Sequence, residues 1–169
     1  MLRATAVMAG LWCLTAVTAL AHDPPAKQAA GAQVLTAAER APASVVDRFH
    51  AALERGDTTA ALALMADDVL VFEQGGAERS KAEYAGHHAA ADAEFARATE
   101  SLFSGRRVQL SGNMALVTTE TRTTGRFRDR DVNSAGVETM VLRRSRDGWR
   151  IVHIHWSSGK TGGDGPSAP

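Results

Sequence analysis

The stretch Gly148–Gly159, GWRIVHIHWSSG, has the composition of a long final β-strand. Side chains alternate between the two faces of a strand, so His153 and His155 are expected on one face and Ile154 and Trp156 on the other. Both faces carry large apolar groups, so both are expected to be covered. We assign the face with two imidazoles to a functional cavity and the other face to a homodimer interface.

The first 21 residues have the three-part plan of a secretory signal peptide. Arg3 supplies a positive charge, an apolar run extends from about Ala6 to Leu20, and Ala19–Ala21 forms an A-x-A cleavage site before His22. The apolar run is shorter than the roughly 20 residues that a membrane span needs. We therefore expect a periplasmic or secreted protein with no stable membrane span, and N-terminal sequencing of the mature protein should start at or near His22.

Charge and cysteine content exclude several classes of function. The chain has 19 basic and 19 acidic residues, so no overall field favours nucleic acid or an anionic membrane as a partner. Its single cysteine, Cys13, lies in the predicted signal peptide, so the mature chain is expected to have neither a disulfide nor thiolate chemistry. The sequence has no Gly-rich phosphate loop and no motif of a serine or cysteine nucleophile.

The mature chain divides into a linker, one domain and a tail. Residues 22–42 are rich in Ala, Pro and Gln and are predicted to be a flexible linker, and the Gly/Ser/Pro-rich residues 159–169 are predicted to be disordered. Residues 43–158 show helical spacing first and alternating segments afterwards. This order predicts an α+β fold with three helices packed on one face of an antiparallel sheet. Strands are predicted at 69–73, 102–110, 114–127, 137–144 and 148–158.

Capping residues predict where the three helices start. Ser44 precedes the first apolar repeat, Asp57 the second, and Ser80 the third, and Gly56 is expected just after the end of the first helix. Four residues of the third helix recur at helical spacing, so they form one stripe that should face the interior. The stripe consists of Tyr84, His88, Ala91 and Phe95.

Five short motifs occur in order along residues 44–159. They are Gly56-Asp57 between two helices, Asp68–Glu73 on the first strand, Glu138-Thr139 on the penultimate strand, Arg146–Gly148 before Trp149, and Val152–Gly159 at the end. Together they resemble the nuclear-transport-factor-2-like superfamily, especially its SnoaL-like branch, and the association domain of calcium/calmodulin-dependent kinase II. The resemblance implies a cone-shaped fold in which a curved sheet wraps around a pocket, and usually a dimer. It implies no single activity, since members include isomerases, cyclases, dehydratases, assembly hubs and ligand binders.

One candidate site combines histidines from different elements. His153 and His155 on the final strand could meet His88 from the helix stripe and Glu73 from the first strand. Three imidazoles would suit zinc or copper. Asp92, one helical turn after His88, could fix the tautomer of that imidazole. In the alternative interpretation each histidine is a packing residue whose hydrogen bonds are satisfied within the protein.

Acid–base chemistry is the other enzymatic possibility. Family members that isomerise or cyclise use an Asp or His of the pocket as a base, with hydrogen-bond donors nearby. The candidates here are Glu73, Tyr84, His88 and Glu138. Arg122 could bind a carboxylate of a ligand. The Tyr/Asp/Asp arrangement of steroid isomerases is not found at matching positions, because the first strand offers Glu73 in place of a clear Asp.

Three functions therefore stay open at this point. The first is an exported small-molecule binder with a histidine-lined pocket, with or without a metal ion. The second is a lyase or isomerase that needs no cofactor and uses the pocket His and Glu side chains. The third is a dimeric assembly module without a ligand.

Overall fold

The computed structural model describes residues 33–161, in which four helices pack on one curved, unclosed, six-stranded sheet. The predicted signal peptide lies outside the described residues, so export stays a prediction. Within 33–161, no helix is both long enough and apolar enough to cross a membrane. The helices are α1 (Ala37–Glu54), α2 (Thr58–Ala63), α3 (Lys81–His87) and α4 (Ala89–Ala98). The strands are β1 (Met65–Glu73), β2 (Gly76–Glu78), β3 (Thr99–Ser111), β4 (Met114–Phe127), β5 (Arg130–Ser145) and β6 (Gly148–Lys160).

The sheet has the strand order β2-β1-β6-β5-β4-β3. All neighbouring strands are antiparallel except β1 and β6, which run parallel. A parallel pair needs a long connection, and the chain from β2 to β5 with α3 and α4 provides it. The predicted α+β architecture is confirmed, and the expectation of a wholly antiparallel sheet is corrected at this one pair.

Helix α1 begins directly after Thr36 and not at Ser44 as predicted. The Thr36 hydroxyl accepts a hydrogen bond from the backbone N–H of Glu39 at 3.3 Å, and the Thr36 backbone N–H donates to the Glu39 carboxylate at 2.7 Å. This capping box satisfies two helix-terminal groups at once. Residues 37–42, predicted as linker, are therefore helical, and the helix continues through a buried Pro42.

The third predicted helix consists of two helices, α3 and α4. The break lies at His88, whose backbone (φ −120°, ψ −32°) departs from helical geometry. The other two predicted caps are confirmed. The Ser80 hydroxyl accepts from the N–H of Glu83 at 3.1 Å, and the Asp57 carboxylate accepts from the N–H of Ala60 at 2.9 Å. The predicted stripe faces the interior along both helices despite the break.

A β-bulge in β6 decides which of its side chains face the helices. Val152 has no partner in β5, because the residues on either side of it pair with consecutive residues of that strand. As a result, Ile151 and Ile154 are both completely buried in the core. His153 and His155 consequently lie on the outer face of the sheet.

The face of β6 beyond the bulge is therefore the reverse of the prediction. Trp156 stacks on Phe49 of α1 with ring centroids 6.3 Å apart, and it donates a hydrogen bond to Glu138. The homodimer interface predicted on the face with Ile154 and Trp156 is wrong, because these side chains contact the helices and the cavity. Dimerisation itself stays a prediction.

Candidate functional site

A cavity of about 730 Å³ lies between the inner face of the sheet and helices α1, α3 and α4. This volume suits a small organic molecule. The uncharged part of the wall combines apolar rings and aliphatic groups with hydroxyl groups of β3, β4 and β5, such as Ser101, Thr121 and Ser134. The ionisable residues of the wall, apart from Tyr84, are Glu73, Glu78, Asp92, Glu138, His50, His88 and Arg128.

Glu138, in the middle of β5, is the most deeply buried of the charged residues in the described chain, with 2% of its surface exposed. Its Oε2 accepts a hydrogen bond from the indole N–H of Trp156 at 2.8 Å. His50 Nε2 lies 2.9 Å from the same oxygen, close enough for an ion pair, although the angle does not make a hydrogen bond. The other oxygen, Oε1, has no hydrogen-bond partner among residues 33–161.

The surroundings of Glu138 keep it ionised. Burial by itself raises the pKa of a carboxyl group, and it does so here. The contact with His50, the hydrogen bond from Trp156 and the charge of Arg106 outweigh burial, so the pKa of Glu138 is below its ordinary value. The cavity thus contains a buried anion with one oxygen that lacks a donor, an arrangement that costs free energy until a donor reaches it.

A second polar group lies at the end of β1, beneath α3 and α4. The hydroxyl of the buried Tyr84 donates to Oδ2 of Asp92 at 2.8 Å. His88 Nδ1 contacts Oε1 of Glu78, a carboxylate on the short strand β2. His88 therefore pairs with Glu78, and the predicted pairing of His88 with Asp92 is wrong because Asp92 is bonded to Tyr84.

Two carboxyl groups in this region, those of Asp92 and Glu73, hold protons more tightly than usual. Burial raises the pKa of Asp92, and the hydrogen bond from Tyr84 and the charge of His88 only partly oppose it. Burial also raises the pKa of Glu73, with a further contribution from the negative charge of Asp92. The pKa of Tyr84 is well above its ordinary value, mainly through burial and then through Asp92, so Tyr84 acts as a hydrogen-bond donor.

Strand register connects the two groups. Glu73 of β1 and Glu138 of β5 both pair with Trp156 of β6, so the three residues form a row across the inner face. Neighbouring strands lie about 4.8 Å apart, which puts the Cα atoms of the two glutamates about 10 Å apart. Trp156 is therefore the strand neighbour of both glutamates, and its indole N–H is bonded to Glu138.

The structure brings together some of the predicted site residues and separates others. Arg122 is exposed on the outer face, because its neighbours Thr121 and Thr123 take the inward positions of β4. His153 and His155 lie on the outer face as a result of the bulge in β6. The predicted residues that line the cavity are Glu73, Tyr84, His88 and Glu138.

The predicted metal site of His88, His153 and His155 is wrong. His88 lines the cavity, whereas the other two lie on the opposite side of the sheet. No three His, Cys, Asp or Glu side chains of the described part of the chain are arranged to hold a metal ion.

The outer histidines pack against neighbouring rings. The His153 ring is 5.1 Å from that of Phe72 and 6.5 Å from that of His155. Burial, together with the charge of His155, lowers the pKa of His153, although the backbone of Leu70 acts in the opposite direction. The His153 ring is thus partly buried on the outer face, whereas His155 is exposed there.

Three ionisable residues of the cavity were not selected from the sequence. His50 carried a usable signal, since it falls with Phe49 and Leu53 on the inward stripe of α1 at helical spacing. Glu78 carried none, because the short strand β2 was not predicted. Arg128 was not selected as a site residue, yet its backbone turns (φ +47°), it borders the cavity, and it pairs with Glu94 at 2.8 Å.

Comparison with protein families matches residues 43–160 to the SnoaL-like domain, so the predicted resemblance is confirmed. Among solved structures, a proposed ketosteroid isomerase from Shewanella frigidimarina NCIMB 400 is 34% identical. That likeness covers 69% of this chain and 94% of the other, with a TM-score of 0.67. No curated protein sequence matches the chain.

Two further solved structures are similar in fold. A proposed dehydratase of the NTF2-like family from Streptomyces avermitilis is 23% identical, with 73% of this chain and 97% of the other covered at a TM-score of 0.64. The CaMKII hub from S. rosetta is 22% identical, with 75% and 100% covered at a TM-score of 0.60.

Proposed function

We propose that this chain, which belongs to the SnoaL-like domain family, binds a small organic molecule in its cavity with Glu138 as the polar anchor. The observation that carries the proposal is the carboxylate of Glu138, which lines the cavity and whose buried Oε1 has no hydrogen-bond partner among residues 33–161. A hydroxyl, amide or amine of a ligand would remove the cost of leaving that oxygen unpaired. The apolar wall would cover the rest of the ligand.

Native mass spectrometry of protein isolated from its own source tests this proposal. The wild type should carry a small molecule that is released on unfolding. Glu138→Gln should carry little, because Trp156 would hold the amide oxygen and the amide NH2 would then face the donor of the ligand. Glu100→Gln is the matched control, since Glu100 is exposed on β3 away from the cavity. A wild type that neither carries nor takes up any small molecule contradicts the proposal.

A cofactor-free isomerase or lyase is the second candidate. The raised pKa values of Glu73 and Asp92 favour it, because a carboxyl group that titrates nearer to neutrality is both a better base and an available acid. One carboxylate would take a proton from the carbon beside a carbonyl group, the electron pair would move to the carbonyl oxygen, and the acid would return the proton at another carbon. The 34% identical relative, a proposed ketosteroid isomerase, suggests a ketone as the substrate.

A β,γ-unsaturated ketosteroid tests this second candidate, since moving its double bond into conjugation changes the ultraviolet absorbance. Wild type and Glu100→Gln should convert the ketone at the same rate. Glu73→Gln should be slower by about 100-fold or more, the usual contribution of a general base. An unchanged absorbance with the wild type contradicts the isomerase candidate.

We also propose that the outer face of the sheet pairs two copies of the chain. Apolar side chains on this face are substantially exposed: Leu70 by 39%, Phe72 by 38%, Leu102 by 64% and Val137 by 58%. A patch that spans the sheet in this way marks an interaction surface. Sedimentation should show a wild-type dimer and a Phe72→Lys monomer, and a monomeric wild type at micromolar concentration would exclude the pairing.

A further inference from the structure

We propose that the ligand carries an ammonium group, which lies beside Trp156 between the carboxylates of Glu138 and Glu73. The inference rests on the proposed ligand-binding role of the cavity and adds the chemical class of the ligand.

The charges that border the cavity favour a cation. Four carboxyl groups line it, against a single guanidinium among the described lining residues, that of Arg128. The Arg128 side chain is 64% exposed and is held by Glu94. His50 and His88 are each already in contact with a carboxylate of the wall. An anionic ligand would therefore be placed among carboxylates, where like charges repel.

The unpartnered Oε1 of Glu138 specifies what the ligand must offer. An ionised carboxylate accepts hydrogen bonds and donates none, so its partner must be a donor. An ammonium group donates three hydrogen bonds and carries the opposite charge, and such charge-assisted bonds are roughly twice as strong as neutral ones. A neutral hydroxyl could satisfy the same oxygen but would leave the remaining negative potential of the wall uncompensated.

The row formed by Glu73, Trp156 and Glu138 provides a place for this group. Both glutamates are strand neighbours of Trp156, and the face of an aromatic ring attracts cations. The rest of the ligand would contact apolar side chains of α1, β1, α4 and β3, so an aromatic or alicyclic body fits best. These apolar side chains include Leu53, Val71, Phe95 and Phe103.

Binding of an ammonium group should be linked to protons. Glu73 faces Asp92 of α4, His88 at the break between α3 and α4, and Glu78 of β2; burial and the two acids raise its pKa. A cation beside Glu73 favours the ionised carboxylate, so amine binding should release a proton. Glu138, faced by His50 of α1 and by Arg106 of β3, is already ionised and should release none.

Three probes with the same phenylethyl skeleton test the proposal by calorimetric or NMR titration of the full chain. They are 2-phenylethylamine, 2-phenylethanol and 3-phenylpropanoate. At pH 7 the amine should bind about tenfold more tightly than the alcohol, the difference between a charged and a neutral hydrogen bond, and the carboxylate should not bind. Affinity for the amine should increase as the pH rises through the range in which Glu73 and Asp92 lose their protons.

Each outcome of this titration is decisive. Equal binding of the amine and the alcohol, or tighter binding of the carboxylate, overturns the ammonium proposal and leaves ligand binding in the cavity intact. Binding of none of the three probes overturns the proposed ligand-binding function as well.

Variants locate the ammonium group. Glu138→Gln and Glu73→Gln should each remove the preference for the amine over the alcohol, and Glu100→Gln should behave as the wild type. Glu73 is only partly buried, so its variant provides a test even if Glu138→Gln folds poorly. If Glu73→Gln and every folded Glu138 variant keep the amine preference, the group binds elsewhere and the proposal is wrong.

Discussion

Glu138 and Glu73 lie two strands apart on the same wall of the cavity, and their pKa values move in opposite directions. Glu138 is the more deeply buried of the two, yet its pKa is lowered, whereas the pKa of Glu73 is raised. Burial raises the pKa of both groups, but at Glu138 the contacts with His50 and Trp156 outweigh it, whereas at Glu73 the charge of Asp92 adds to it. The partners of a carboxylate, more than its depth, decide its charge here.

This difference separates two roles on one wall. Glu138 provides an anion that persists at neutral pH and can hold a ligand by a fixed charge. Glu73, with Asp92 beside it, can take up or release a proton when a charged group arrives. The first role suits binding and the second suits proton transfer, so ligand binding and acid–base chemistry can share the cavity.

Removing the imidazole beside Glu138 should have the largest effect on the stability of the fold. His50→Leu should lower the free energy of unfolding by about 2 kcal/mol, because a buried carboxylate loses the imidazole that contacts it. Urea unfolding at neutral pH measures this loss. His87→Leu is the matched control, since His87 is exposed on α3, and equal stability of the two variants would contradict the assigned role of His50.

Removing the indole donor should have a smaller effect. Trp156→Phe should lower the free energy of unfolding by about 1 kcal/mol for the lost hydrogen bond, beyond the cost of the smaller ring. Trp149→Phe is the comparison, because Trp149 is also partly buried against the core while its side chain has no hydrogen bond within residues 33–161. Equal losses in the two variants would show that the bond to Glu138 contributes nothing.

Glu73→Gln should change the pH dependence of stability. A carboxyl group with a raised pKa in the folded state binds more protons there than in the unfolded state, so stability falls as the pH rises from the unfolded pKa through the folded one. The variant removes this fall, and its Tm at neutral pH should exceed that of the wild type by a few degrees, with no difference in acid. Thermal melts across this range check the sign, and a lower Tm of the variant at neutral pH would refute it.

Glu138→Gln should show the opposite dependence. The lowered pKa of Glu138 contributes stability above the unfolded pKa that disappears as the pH falls through the folded one. The variant should therefore be less stable than the wild type at neutral pH and should approach it in acid. The same thermal melts measure the difference in Tm between the wild type and Glu138→Gln. A difference that widens in acid would contradict a lowered pKa of Glu138.

We expect the smallest effect from a substitution on the outer face of the sheet. His153→Ala should leave binding of 2-phenylethylamine unchanged, because His153 lies across the sheet from the cavity. Titration with the amine measures this, with His88→Ala as the comparison on the cavity side. A loss of binding in His153→Ala would mean that the histidine face lines the cavity after all.

Local signals in the sequence predicted much of the fold. Hydrogen bonds over three residues determine the caps at Asp57 and Ser80, and helical spacing alone placed Tyr84 and His88 towards the interior. The face of β6 could not be predicted in this way. Alternation fails at Val152, because β6 has one more residue there than the segment of β5 with which it pairs.

The candidate site was predicted only in part, because its residues come from distant parts of the chain. Glu138 was selected because it opens a strand motif, but its partners His50 and Trp156 come from the first helix and the last strand. Nothing in a linear pattern indicates that these side chains meet. The histidines that were most conspicuous in the sequence, His153 and His155, lie on the other face of the sheet.

The most direct test of the account is an NMR pH titration of protein labelled with 13C in the glutamate carboxyl groups, with and without 2-phenylethylamine. We expect Glu138 to titrate below the ordinary glutamate pKa of about 4.3 and Glu73 to titrate above it. We also expect the amine to shift the Glu138 resonance and to lower the midpoint of Glu73. A Glu138 that titrates above Glu73, or that does not respond to the amine, would contradict the account.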